Sequence, residues 1–240
     1  MKSHTLICLP YAGGGTLDFR TWPSLFPDQI QVSAIRLPGR ETRMRERPLT
    51  SIRDMADLII REHGEGLFSG PWAIYGHSMG SWMGFELARA ARRKGLASPT
   101  HLFAASRWAP DAKNPNPPIH HLSDAAFIDA IQDRYQAIPQ QLLDQPEILA
   151  MFLPALRADF TAIDTYPYVP GSPLDCEIFA LRGAKDSVVT ESHLDGWREH
   201  TTGTFRQASL PGGHFFLRED REPLCDLICG ALLKWRANQR

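Results

Sequence analysis

Four short apolar runs in the first 106 residues, "HTLICLP", "VSAIRLP", "PWAIYG" and "THLFAAS", are separated by segments of helical periodicity. Apolar runs this short, without polar alternation, are buried on both faces, and their alternation with helices builds a parallel sheet covered on two sides. "TSIRDMADLIIREHG" sets Ile52, Met55, Ala56 and Ile59 on one face, with Ser51 and Asp54 at capping-box positions and Gly64 as the stop. A second helix is predicted from Met79 to Arg93. From about Asp111 to Pro170 the rhythm breaks, and a proline-rich "NPNPP" leads into two helical patterns with no strand between them, read as a helical lid insertion. "DCEIFALRG" and "FRQASLPGG" resume the sheet. A closing helix then carries Leu224, Leu227, Ile228, Ala231, Leu232 and Trp235 on one stripe. The expectation is one α/β domain over residues 1–240, with the insertion at about 111–170.

Composition removes several function classes. A formal net charge of −1 gives no field for nucleic acid. The N-terminal apolar run after Lys2 is too short for a signal peptide, and no stretch is long enough to span a bilayer, so a soluble cytoplasmic protein is expected. Cys8, Cys176, Cys225 and Cys229 lack a second ligand pair at metal spacing and read as core thiols, so no metal is expected.

The third run ends in "YGHSMG", a G-x-S-x-G pattern placed between a strand and a helix. Gly76 and Gly80 permit a turn in which a side chain would strike the neighbouring strand or helix, and the turn pushes the Ser78 hydroxyl into the open. Serine needs a base and the base a carboxylate, in the chain order serine, acid, histidine. Among the downstream histidines only His214, in "LPGGHFF", directly follows a late strand. Asp186, in "GAKDSVV", lies beyond the preceding strand on the same sheet edge, with Asp111 as the alternative. His77 is read as structural. Donors for an oxyanion are the amide of Met79 and one amide from "PYAGGG", Ala12 first and Tyr11 next. The same glycine run lacks G-x-G-x-x-G spacing, because Asp18 occupies the last position, and it has no P-loop lysine.

Phe127, Ile131, Leu149, Phe152, Leu153, Leu156 and Phe160 recur at helical spacing in the insertion, and Phe127, Phe152 and Phe160 are candidates to line an apolar chamber. "RLPGRETRMRERP" concentrates five arginines in one loop, of which Arg40 and Arg43 are candidates to receive a phosphate or an acidic surface.

With "LPYAGGG", "LPGRE", "YGHSMG", "GAKDSVV" and "LPGGHFFL" in this order, the chain resembles, over nearly its whole length, the type II thioesterases of polyketide and nonribosomal peptide assembly lines, within the α/β-hydrolase superfamily. It departs from that pattern at "AASRWAP", where the family often has a glycine and a second arginine. The resemblance implies hydrolysis of acyl thioesters on the phosphopantetheine arm of acyl or peptidyl carrier proteins, met transiently by a monomer. It implies no cofactor, since the arm belongs to the substrate. A small-molecule carboxylesterase and a non-catalytic ligand-binding module are the other readings of the same fold.

Overall fold

The computed structural model describes residues 4–219 and 221–238; Lys2 and the outer ends of the 1–240 span lie outside them. Its sheet has six parallel strands: β1 (His4–Leu9), β2 (Ile30–Ala34), β3 (Trp72–His77), β4 (His101–Ala105), β5 (Glu177–Gly183) and β6 (Phe205–Leu210). They lie in the order β2-β1-β3-β4-β5-β6. β3 and β4 are buried along their whole lengths, as the unbroken apolar runs require. Connections leave β1 in one direction and β3 in the other, so the topological switch lies between them, and chemistry in open α/β sheets gathers at that crevice. This is the α/β-hydrolase architecture.

Helix α1 (Ile52–Phe68) and α2 (Met79–Arg93) cover one face of the sheet, over a core that includes Ile7, Ile74, Met83 and Leu102. Ser51 Oγ accepts the amide of Asp54 at 3.3 Å and caps α1. Gly64 was expected to stop this helix. It does: Gly64 is non-helical (φ 49°, ψ −148°) and breaks the helical run, and a second short helical stretch then leads to Phe68, buried edge-on against Trp72. The other face is sealed by the closing helix α8 (Arg221–Ala237), whose Leu224, Ile228 and Leu232 are fully buried. The short helices α6 (Glu191–Asp195) and α7 (Phe216–Glu219) complete the C-terminal half.

Between β4 and β5 stand α3 (Asp124–Tyr135), α4 (Gln140–Leu143) and α5 (Pro146–Asp164), with no strand among them. They have an apolar cluster of their own, in which Phe127, Ile131, Leu149, Leu156 and Phe160 meet. One buried ion pair ties this insertion to the sheet: Arg40, after β2, donates from Nη1 and Nη2 to the Asp159 carboxylate at 2.9 and 2.8 Å. Among the described residues, no helix is long and apolar enough to cross a membrane.

Candidate active site

β3 ends at His77, and Ser78 begins the turn into α2 with φ 52° and ψ −112°, a conformation that L-residues rarely adopt. The turn is held by the Ser78 amide, which donates to the Ala105 carbonyl at 2.7 Å, and by Ser81 Oγ, which donates to the Gly76 and Ala105 carbonyls. A Cβ on Gly76 would stand 2.1 Å from the Gly80 carbonyl oxygen, and one on Gly80 2.3 Å from that of Leu9. Both obstacles are backbone. Gly80→Ala is therefore expected to cost about 3 kcal/mol or more, by the general penalty of overpacking, measured as a fall in the denaturant midpoint.

The loop after β6 brings His214 to Ser78, with Nε2 3.2 Å from Ser78 Oγ. Nδ1 lies 2.9 Å from Asp186 Oδ2, in the loop after β5. These two loops are joined by hydrogen bonds from the Ala184 amide to Leu210 and from the Lys185 amide to Gly212, and Gly183 has no room for a Cβ against the Gly213 carbonyl. Asp186 Oδ1 accepts the amides of Val188 and Val189 at 2.9 and 3.1 Å. Burial pushes the Asp186 carboxyl up, but the His214 hydrogen bond and charge, with those two amides, outweigh it and leave its pKa below the ordinary value. An ionised Asp186 fixes the proton of His214 on Nδ1 and leaves Nε2 facing the serine. The alternative acid, Asp111, instead accepts from His200 at 2.8 Å.

His77 also contributes. Its Nε2 donates to the backbone carbonyl of His214 at 2.8 Å, and Ser106 Oγ donates to the same oxygen at 2.9 Å. Tyr75 O–H completes the chain by donating to His77 Nδ1 at 3.0 Å, which requires a neutral ring. Burial, helped by the neighbouring His214, lowers the His77 pKa to about 3, and burial first of all lowers His4 and His101 to about 4. These rings stay neutral in the native state while the unfolded chain takes up protons below its ordinary value of about 6.5. The stability they contribute is complete above pH 6.5 and is lost as pH falls toward 4 and then 3. Thermal melts from pH 7 to 4.5 are expected to show Tm falling steadily, with a shallower slope in His77→Gln.

In the β1 loop, the Gly13 amide donates to Asp159 Oδ2 at 2.8 Å and the Gly14 amide to the Tyr11 carbonyl. Ala12 and Tyr11, the two candidates named from sequence, both line the cavity beside Ser78. The Tyr11 side chain is buried and donates from its hydroxyl to Asp18 at 2.7 Å. Met79 is the first residue of α2, where an amide has no partner within the helix.

A cavity of about 250 Å³ starts at Ser78, Ala12 and His214 and runs into the insertion. Phe152 and Phe160 line it, as do Ile131, Leu149 and Leu156. Phe127 does not: it is fully buried edge-on against Phe160 at 5.4 Å with the Arg157 guanidinium over its ring, so its place is packing. Sequence reasoning missed Tyr135, Ala137, Ile138 and Pro139, which form the cavity wall at the α3–α4 junction. That turn is held by the Gln132 side-chain amide, which bonds both the amide and the carbonyl of Ile138.

Neither arginine proposed for phosphate or an acidic surface is free to take that role. Arg40 is 5% exposed and its guanidinium is used by Asp159 and the Gly14 carbonyl. Arg43 is held by Glu46 and Glu62. In "AASRWAP", Arg107 is buried between the Trp82 and Trp108 rings, 3.7 and 4.1 Å from their centroids. Burial lowers its pKa to about 10, and the indole faces supply the attraction that a carboxylate would otherwise provide. Trp108, in this segment where the sequence departs from the resembling family's pattern, thus packs against a cation.

The thioesterase domain family matches residues 4–232. The gramicidin S biosynthesis protein GrsT of Aneurinibacillus migulanus is 39% identical over 227 residues, 95% of this chain and 88% of that protein. Among solved structures, RedJ, a thioesterase from the prodiginine biosynthetic pathway in Streptomyces coelicolor, has a TM-score of 0.88 at 35% identity over 95% of this chain and 85% of its own. BorB, the type II thioesterase from the borrelidin biosynthetic cluster, has a TM-score of 0.83 at 33% identity over 95% and 90%. A strained serine turn at the switch point, a histidine and carboxylate aligned on it, and this kinship over nearly the full length lead to one assignment: the chain belongs to the thioesterase family.

Proposed function

We propose that this thioesterase acts as a type II editing enzyme, removing stalled or misprimed acyl groups from the phosphopantetheine arms of acyl or peptidyl carrier proteins in a polyketide or nonribosomal peptide assembly line. The observation that carries the proposal is the alignment Ser78–His214–Asp186 at the mouth of an apolar cavity. The biosynthetic origins of GrsT, RedJ and BorB support it.

Ser78 Oγ attacks the thioester carbonyl while His214 Nε2 takes its proton, and the oxyanion is received by the amides of Ala12 and Met79. Collapse breaks the C–S bond, and the departing thiolate takes the proton from His214, leaving the acyl group on Ser78. Water then attacks this ester, giving a proton to His214 that returns to Ser78 Oγ as the carboxylic acid leaves. Asp186 holds the imidazole and balances its positive charge in each half. Every proton passes through His214, so the mechanism asks for no metal or diffusible cofactor. The enzyme works as a soluble cytoplasmic monomer that meets its carrier transiently, with the helical insertion as the lid of a single domain.

The test is acid release from a panel of acyl groups presented on a carrier protein and on free pantetheine, with Ser78→Ala as the blank. Release that needs Ser78 and favours the carrier is expected. Serine-dependent release indifferent to the carrier, or preference for oxygen esters, would replace this reading with a general esterase.

A further inference from the structure

One side chain of the helical insertion reaches the base itself. Tyr135 is the last residue of α3, and its ring stands 5.1 Å from the His214 imidazole. The backbone delivers it there. Gln136, the next residue, takes a left-handed conformation (φ 48°, ψ 39°) that non-glycine residues seldom adopt, and its amide closes the helix on the Gln132 carbonyl at 2.9 Å. The chain therefore turns away as soon as the ring has been placed. Phe160 of α5, itself edge-on to Phe127, backs the ring at 6.0 Å, and the buried Arg107 guanidinium interacts with its hydroxyl.

The proposed mechanism turns His214 into an imidazolium in each half-reaction. Asp186 meets that charge at Nδ1. An aromatic ring attracts a cation within about 6 Å of its centroid, and the attraction grows where water is excluded. His214 is only 8% exposed, and Phe215 places a second ring 5.1 Å from it. A neutral imidazole gains far less from the same rings, so their attraction rises with the charge and favours the transition state over the resting enzyme. The other charges around His214 leave this task open. Arg218, in the Ser78 cavity, is paired with Asp18, the neighbouring His77 is neutral, and Asp133, Arg134, Lys185 and Glu219, lining the space beyond His214, are of both signs.

Resting on the serine-triad mechanism above, we propose that Tyr135 is a positioning residue supplied by the insertion, whose ring stabilises the His214 imidazolium, so that docking of α3 raises turnover as well as walling the cavity. It acts on the charge and leaves the distance between Ser78 and His214 alone.

The experiment measures kcat and KM on an acyl-pantetheine thioester and on the p-nitrophenyl ester of the same acid. The variants are Tyr135→Phe, Tyr135→Leu, and phenylalanine carrying one, two or three ring fluorines at position 135, which withdraw charge from the ring face and hardly change its shape. Tyr135→Phe is expected to keep kcat within about threefold of wild type, and Tyr135→Leu to lower it about tenfold on both substrates. Along the fluorinated series kcat should fall stepwise toward the level of Tyr135→Leu, with KM changed less than about threefold. A ring that only packs would be indifferent to fluorine. A kcat that stays level along the series, a loss confined to KM, or Tyr135→Phe as damaged as Tyr135→Leu would overturn the assignment. The underlying reading fails separately: if the wild-type enzyme cleaved the ester but no thioester, the thioesterase chemistry would be refuted, and the series on the ester would still decide the role of Tyr135.

Discussion

Replacing Ser78 by alanine is expected to lower kcat for thioester hydrolysis by about 10⁵-fold or more, because in the proposed mechanism nucleophile, base and acid act as one unit and loss of Ser78 removes the covalent route. Residual acid release over water would come from the donors and the binding cavity alone. The same position tests the backbone. At φ 52° a side chain is strained and glycine is not, so Ser78→Gly should be as inactive as Ser78→Ala yet more stable, by about 1 kcal/mol. Melting the two variants side by side measures that difference. Equal Tm values would mean that the turn carries no recoverable strain.

The largest loss of stability is expected at the ion pair that fastens the insertion. Asp159→Ala removes the acceptor of both Arg40 nitrogens and of the Gly13 amide, and leaves a guanidinium buried without a counter-charge. Breaking such a pair costs about 3–5 kcal/mol, or roughly 10 °C in Tm for a chain of this size. Arg40→Met/Asp159→Leu, which removes both charges, should recover much of this loss, because neither partner is then left stranded. Activity should not recover with stability. Gly13 follows the proposed donor Ala12, and without Asp159 its amide has no anchor, so kcat should stay low in the double variant. Full recovery of kcat would show that the pair acts on stability alone.

The strands and the turn at Ser78 were legible because they depend on local facts: unbroken apolar runs, and glycines where a Cβ would strike backbone. Asp186 and His214 followed from chain order and sheet edge, without knowledge of any distance. Arg40 was misread because its partner lies 119 residues away on α5 and no local pattern announces it. Phe127 and Phe160 share one helical spacing, and which of them reaches the cavity depends on how α3 and α5 dock, a tertiary fact. The Tyr135–Pro139 turn gave no signal, because its shape comes from the Gln132 side chain bonding six residues ahead. Gly64 was a correct local signal, and the helical run breaks there.

The grip of His77 and Ser106 on the His214 carbonyl has a mechanical consequence. His77 and Ser78 are consecutive on one stiff turn, so a displacement of that turn moves Ser78 and, through the His214 carbonyl, His214 with it. Fluctuations shared by both cancel in the gap between them, and only relative motion within a few bonded atoms can spoil it. The reacting distance is therefore set by a short closed linkage, insulated from the breathing of the sheet and from whatever the insertion above it does.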